Sequence, residues 1–511
     1  MAEYNTLNVF KGPDAVVNYL HPDFSPPVPL VEIPAKLNPF RADNVRIFAK
    51  MLTALPAQNV KMLPALNMLL HQPDAAFKSI VEASSGSTAL SLSIISRAML
   101  GNEDVCAYVT NKKHPDSLRL LRFFGLKVAL YGGLQQQDPD DPRGIMERLR
   151  KLVKKDDTLC YLGQYDNDFN WRSHCRWTGP QILQQLPEID VLATTVGTGG
   201  CITGTGLYLK SQKGDVTVVG VFNEWGDPTP GPRHFPGFES SQFPWRETID
   251  VFETVKSKDS YEMSMRLSRE GIICGPSSGE ALVGLLNFLQ SKKNAGKLHE
   301  LANKDTGEIS CVFIACDNPV QYLDGYFSKL EESKFPPILN HILLQCDQDK
   351  YDERWELTPE GTLLAQKLGA SDPLRVCRRR CGKNLACSAA SQRSHSLVLD
   401  LRQVGDFRKE HIRFSISSPL KDLGPQTGDI YSDPEAVFLF WSALKSKIEA
   451  EKERLGSSRT ILVLCYEGET SRLATSMLRG RGYEAFSVHG GFRALRVAMK
   501  RKKVKKCAGT F

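Results

Sequence analysis

The stretch TTVGTGGCITG, Thr194–Gly204, decides the fold. It follows the apolar run Val191–Thr195 and opens onto a helical pattern, so it reads as a glycine-rich strand-to-helix turn. Glycines let the backbone fold closely around a small anion, and the N-terminus of the following helix favours its negative charge. The stretch lacks the GK[ST] ending of a nucleotide P-loop and is not GxGxxG. A single phosphate group, not a dinucleotide, is the expected occupant.

Working outward, the same strand–turn–helix alternation runs from about residue 78 to 320. Apolar runs at Val105–Val109, Val128–Tyr131, Leu159–Leu162, Val191–Thr195, Val216–Phe222 and Ser310–Cys316 alternate with amphipathic stretches such as Asp116–Phe124, Arg143–Lys155 and Glu280–Lys293. This alternation predicts an α/β fold with a mainly parallel sheet, whose ligands bind where strands give way to helices. Two more turns stand out. VEASSGSTA, Val81–Ala89, sets four hydroxyls and a glycine ahead of an apolar helix, which suits a carboxylate or phosphate, although Ser- and Thr-rich caps are common. GIICGPSSGE, Gly271–Glu280, opens another amphipathic helix.

The three turns in this order resemble the signature of fold-type II pyridoxal-phosphate (PLP) enzymes, the cysteine synthase and cystathionine β-synthase family. The resemblance spans roughly residues 28–325. It implies a two-subdomain, tryptophan synthase β-like fold with PLP as cofactor. On it, Ser84, Ser85, Ser87 and Thr88 form the substrate-carboxylate loop, joined by Gln164 of the QYDN stretch that precedes Thr178-Gly179-Pro180. Gly197, Thr198, Gly199, Gly200 and Cys201 hold the cofactor phosphate, Ser87 also touches the cofactor, and Ser277 faces the pyridine nitrogen. A neutral serine there favours β-elimination and replacement over transamination.

The family also needs a lysine upstream of the carboxylate loop to bond the cofactor and move the α-proton; amines serve both ends once desolvated. Two lysines qualify. Lys61, in Asn59-Val60-Lys61, resembles the family's SVK segment and stands 23 residues before Ser84, room for one helix and a short connection. Lys50 lies nearer the Asn38-Pro39 pair that normally precedes the lysine. Spacing favours Lys61, with the residues between Pro39 and Lys61 then an insertion beside the active site. Ser87 in place of the family's Asn, Ala89 in place of Gly, and Cys201 in place of Thr make the substrate uncertain while leaving the fold reading intact.

A second α/β pattern begins at Ser396-Leu-Val-Leu-Asp400-Leu-Arg402. With Asp406-Phe407, Glu410-His411-Ile412, the run Ile461–Arg472 and His489-Gly490-Gly491, it resembles a rhodanese. That resemblance implies Cys465 as a sulfur-carrying catalytic thiolate, its pKa lowered by the backbone N–H groups of its turn. Phosphatases of this fold carry Cys-x5-Arg; here the sixth position is Ser471 and Arg472 comes one later, against phosphatase activity.

The domain reading is therefore 1–370 PLP domain, 371–395 linker, 396–499 rhodanese-like domain and 500–511 basic tail. The net charge of +7 resides in that end of the chain: eight basic and no acidic residues follow from Arg493, and the remainder is close to neutral. A solvated tail is the expectation, so nucleic acid is not an expected partner. No stretch approaches the roughly 20 apolar residues of a membrane span, and the N-terminus lacks a signal-peptide pattern. Thirteen scattered cysteines read as reduced thiols of a cytosolic protein. The closest cluster, Cys377, Cys381 and Cys387, fits no zinc spacing, and no metal is expected.

The combined expectation is a β-replacement on an activated serine, forming cysteine or a related amino acid. Its partners are an amino-acid substrate and a sulfur donor, with a homodimer implied by the family. The alternative is a β-eliminase, or a synthase with a non-sulfur nucleophile, under a regulatory rhodanese domain.

Overall fold

A computed structural model describes residues 5, 7–84, 86–113, 115–133, 138–368, 397–412, 415–425, 429–456 and 460–507. The expected linker, the Cys377–Cys387 cluster, Ser85 and the last four residues of the tail lie outside them. The chain divides into two units, residues 1–335 and 336–511.

The first unit holds two sheets. Strands β1 (Leu30–Glu32), β2 (Val45–Met51), β7 (Ile189–Thr195), β8 (Thr217–Asn223), β9 (Val251–Val255) and β10 (Ile309–Ala315) form a six-stranded sheet in the order β1-β2-β10-β7-β8-β9. Only the β1–β2 pair is antiparallel. Every residue of β7 and of β10 is buried, and each strand carries an apolar stretch, Val191–Ala193 and Cys311–Ala315. Strands β3 (Ser79–Ala83), β4 (Val105–Thr110), β5 (Lys127–Tyr131) and β6 (Leu159–Tyr161) form a second, parallel sheet in the order β5-β4-β3-β6. The three turns singled out from sequence follow β3, follow β7 and open the helix Pro276–Asn294.

Of the residues between Pro39 and Lys61, expected as an insertion beside the active site, seven form β2, hydrogen-bonded in parallel to β10. The alternation Val45, Ile47, Ala49 packs one face of β2 into a core with Phe313 and Leu285.

The second unit is a five-stranded sheet in the order β11-β15-β14-β12-β13. Its strands are β11 (Glu356–Leu357), β12 (Leu397–Asp400), β13 (Ser415–Ser417), β14 (Ile461–Leu464) and β15 (Ala485–Val488), all parallel. This corrects the expected boundary at 370. Residues 336–368 belong with the second unit, because β11 pairs with β15 and Leu357 joins the core of Val398, Leu464 and Phe492. The basic end is helical through Cys507, continuing the helix that opens at Gly491. Among the described residues, no helix is long and apolar enough to cross a membrane, and no cluster of His, Cys, Asp and Glu could hold a metal.

Candidate active site

Lys61 precedes the helix Met62–Leu70, and its segment is pinned by hydrogen bonds on both sides. The Asn59 carboxamide oxygen accepts from the Lys61 N–H at 3.0 Å and from Ser91 Oγ at 3.0 Å, while Val60 N–H donates to Cys316 O at 2.7 Å. Lys61 Nζ lies 3.5 Å from Thr198 Oγ1. Lys50 is placed otherwise. It is wholly buried, and its Nζ donates to Val28 O (2.8 Å), Gln181 Oε1 (2.9 Å) and Gln185 Oε1 (2.7 Å). Burial pushes its pKa down to about 7. Three acceptors for three N–H donors make it a structural lysine.

Lys61 opens onto a cavity of about 220 Å³. Ser84, Ser87, Thr88, Gln164, Gly197, Thr198, Gly199, Cys201 and Ser277 line the same space. Gly200 is buried and is not among the lining residues. Gln164 ties the carboxylate loop to the neighbouring segment: Thr88 Oγ1 donates to its Oε1 at 2.6 Å, and its Nε2 donates to Ala83 O at 3.1 Å. Ser84 Oγ accepts from the Gly86 and Ala89 N–H groups at 3.4 Å each.

Glycine is required in the second turn. Gly199 has φ +86°, and a Cβ there would sit 2.4 Å from a ring carbon of Phe238. A Cβ on Gly200 would sit 2.0 Å from Asn170 Oδ1. Asn170 in turn donates to Thr198 Oγ1 at 3.1 Å, and the Gly200 N–H donates to the same oxygen at 3.3 Å. Around this turn Thr194 and Thr198 line the cavity with Gly197 and Gly199 ahead of the helix Gly200–Gln212, and Thr203 Oγ1 nearby is buried without a partner among the described residues. Hydroxyls and backbone N–H groups at a helix N-terminus fit a phosphate that would take up donors. Cys201, in the position of a family threonine, is pushed up to about 11 by burial, against the pull of Lys61.

Sequence reading missed several cavity residues. Asp317, just past β10, is 7% exposed and is pushed up to about 6 by burial, which outweighs hydrogen bonds from Tyr322 OH (2.6 Å) and Gln321 Nε2 (3.1 Å). Lys113, just past β4, also lines the cavity, as do Tyr165 and Arg233, whose Nη2 donates to Tyr165 OH at 2.9 Å. Lys113 and Asp317 follow the strand ends of expected runs, and that position alone was the available signal.

These residues match known proteins. The family model described as "Pyridoxal-phosphate dependent enzyme" covers residues 24–300. The chain belongs to this family. A "Rhodanese-like domain" model matches residues 386–498. A cysteine synthase of Aquifex aeolicus is 30% identical over 279 residues, 53% of this chain and 83% of that protein. An N-(2-amino-2-carboxyethyl)-L-glutamate synthase of Cupriavidus metallidurans is 30% identical over 269 residues, 49% of this chain and 76% of that protein. A solved O-ureido-L-serine synthase is 21% identical with a TM-score of 0.50, covering 61% of this chain and 96% of its own, a likeness of fold. The protein is thus a cysteine synthase-like, PLP-dependent enzyme carrying a C-terminal rhodanese-like domain.

In the rhodanese-like domain Cys465 immediately follows β14 and is 2% exposed. Its Sγ accepts from the N–H groups of Gly468 (3.1 Å) and Ser471 (3.3 Å) and donates to Ser471 Oγ at 3.4 Å. Burial pushes the thiol up, and these hydrogen bonds pull it down without cancelling the rise, so the expected lowering does not hold for this turn. Arg472 turns to Glu356 on β11, donating through Nε (2.9 Å) and Nη2 (2.8 Å).

Proposed function

We propose that the enzyme catalyses β-replacement on an activated serine, exchanging the Cβ substituent for a sulfur nucleophile. In atoms, the C–X bond breaks with its electron pair leaving on X, and a sulfur lone pair forms the new C–S bond. Bound PLP supplies the electron sink for the charge left at Cα. Lys61 carries the cofactor, takes the α-proton and returns it. Ser84, Ser85, Ser87, Thr88 and Gln164 bind and orient the α-carboxylate, and Ser87 also contacts the cofactor. Gly197, Thr198, Gly199, Gly200 and Cys201 hold its phosphate with backbone and hydroxyl donors, and Ser277 meets the ring nitrogen with a neutral hydroxyl.

The observation that carries this reading is the meeting of Lys61 with those turns on one cavity, while Lys50 is spent on three acceptors elsewhere. The names of the two relatives, a cysteine synthase and an enzyme that joins an aminocarboxyethyl group to glutamate, agree with transfer to Cβ and differ in nucleophile. The test is to supply the PLP-loaded chain with O-acetylserine, O-phosphoserine or serine, and sulfide or thiosulfate, and to identify products by mass spectrometry. A thiol amino acid is expected from sulfide and an S-sulfonated amino acid from thiosulfate; pyruvate and ammonia alone would mean elimination.

Cys465 is proposed to handle sulfur as a persulfide. Its thiolate attacks the outer sulfur of thiosulfate, the S–S bond breaks, and sulfite departs with the electron pair. The backbone N–H groups of Gly468 and Ser471 are placed to support the charge. Cysteines without disulfides among the described residues agree with a reducing, cytosolic setting. A homodimer is the assembly proposed, to be read by light scattering.

A further inference from the structure

We propose that Lys113 determines specificity by binding an oxyanion on the Cβ side of the substrate, either an anionic leaving group or an anionic sulfur donor. This rests on the β-replacement reading and deepens it. Lys113 sits three residues past β4, its N–H donating to Thr110 O at 3.3 Å. That is the strand end where open α/β sheets place ligands. It lines the same cavity as Lys61, Ser84 and Gln164, together with its neighbour Thr110.

Among the described residues, the Lys113 ammonium has no direct partner in this cavity. The turns assigned to the α-carboxylate and the cofactor phosphate use hydroxyls, an amide and backbone N–H groups, so neither consumes a cationic side chain. Lys61 is taken up by the cofactor. Lys113 remains, with Asp317 as a carboxylate on the wall of the same cavity. Asp317 already accepts from Tyr322 and Gln321 and acts on Lys113 without an ion-pair contact between them. Among the described residues the Lys113 amine has no hydrogen-bond partner, and burial works against its charge. A half-buried ammonium held in a reaction cavity at that penalty is explained by an anion that arrives with the substrate. A compact ammonium suits phosphate or thiosulfate as a point charge. Against a phosphate leaving group, it would also steady the charge that develops on the departing oxygen.

The test uses the PLP-loaded full chain, with Lys113→Met and Lys113→Gln as neutral replacements and Lys113→Arg to restore the charge. One arm compares kcat/KM for O-phosphoserine and O-acetylserine with sulfide. The other compares thiosulfate and sulfide with O-acetylserine. Loss of a charge-assisted contact predicts that the neutral variants lose about ten- to hundredfold of the preference for the oxyanion in one arm, with partial recovery in Lys113→Arg. The arm that moves identifies the leaving group or the nucleophile as the ligand. Unchanged ratios in both arms overturn the proposal. Calorimetry with inorganic phosphate and with thiosulfate separates it from the reading beneath it. If no substrate pair turns over but binding of either anion weakens in the neutral variants, Lys113 is an oxyanion site on an enzyme of other chemistry. If neither anion binds, or both bind all variants equally, the proposal fails whatever the reaction.

Discussion

Lys61 and Lys50 separate most sharply when each is replaced by methionine, which keeps length and removes the amine. Lys61→Met removes the group assigned to carry PLP, so the visible absorption band of the bound cofactor is lost while the fold stays. Lys50→Met acts on the scaffold. The amine leaves Gln181 Oε1 and Gln185 Oε1 without their donor, while Val28 O keeps its bond from Gln185 Nε2 at 3.0 Å. Two half-buried acceptors orphaned at no more than about 1–3 kcal/mol each give a loss of at most roughly 2–6 kcal/mol, reduced by water that can reach them and by the burial penalty the lysine no longer carries. The assay is urea unfolding followed by the cofactor band, with band intensity in buffer as the second reading. The reasoning predicts that Lys50→Met keeps the band and unfolds at lower urea, whereas Lys61→Met has no band. A Lys61→Met protein that keeps the band, beside a Lys50→Met protein that folds without it, would refute the assignment.

Three further outcomes follow from particular contacts. Glu82 on β3 is fully buried and pushed up to about 8 by burial, against its bond from Gly163 N–H at 3.1 Å. Its folded form holds a proton that the unfolded chain releases above about pH 4.5, so it costs stability increasingly from there to about pH 8; Glu82→Gln should flatten that slope in pH-dependent unfolding. Gly200→Ala puts a methyl 2.0 Å from Asn170 Oδ1, and equilibrium dialysis should show at least tenfold weaker PLP binding. Cys465→Ala should abolish the sulfur adduct seen by intact mass after thiosulfate while leaving the cofactor band unchanged; an adduct that survives would place the sulfur on another cysteine.

Legibility in the sequence followed the chemistry of the backbone. The glycine and hydroxyl turns could be read because three of them fall in order at strand-to-helix turns, where one alone would pass for a common cap, and the buried strands β7 and β10 each carry an apolar run. β11 could not. Two residues carry no period, and Glu356–Leu357 becomes a strand through pairing with Ser487 and Val488, more than a hundred positions away. Lys113 and Asp317 were passed over for a different reason: a lone charged residue after a strand looks like any solvated turn until the other wall of the cavity is in place.

The same non-local logic bears on Arg472, the residue that sequence compared with a phosphatase arginine. Local spacing moves it one position off the Cys-x5-Arg pattern, yet a neighbouring position alone would leave it free to swing toward an anion in the loop. Glu356 removes that freedom. The carboxylate is largely buried, held below the usual carboxylate range because the hydrogen bonds from Arg472 and His489 outweigh its burial, and it engages Arg472 through two nitrogens. His489, next to the Gly490-Gly491 turn that packs on the Cys465 loop, meets the same carboxylate at 3.2 Å. The segment 336–368 therefore does more than extend a sheet: it supplies the partner that fixes the arginine away from phosphatase geometry. Glu356→Gln keeps the shape and weakens the hold on Arg472. It should lower the unfolding midpoint of this unit by the equivalent of about 1–3 kcal/mol, since a charge-assisted pair is being replaced by a neutral one. In circular dichroism melts of the full chain, a Glu356→Gln protein as stable as wild type would show that Arg472 is held by its packing on Tyr351 instead.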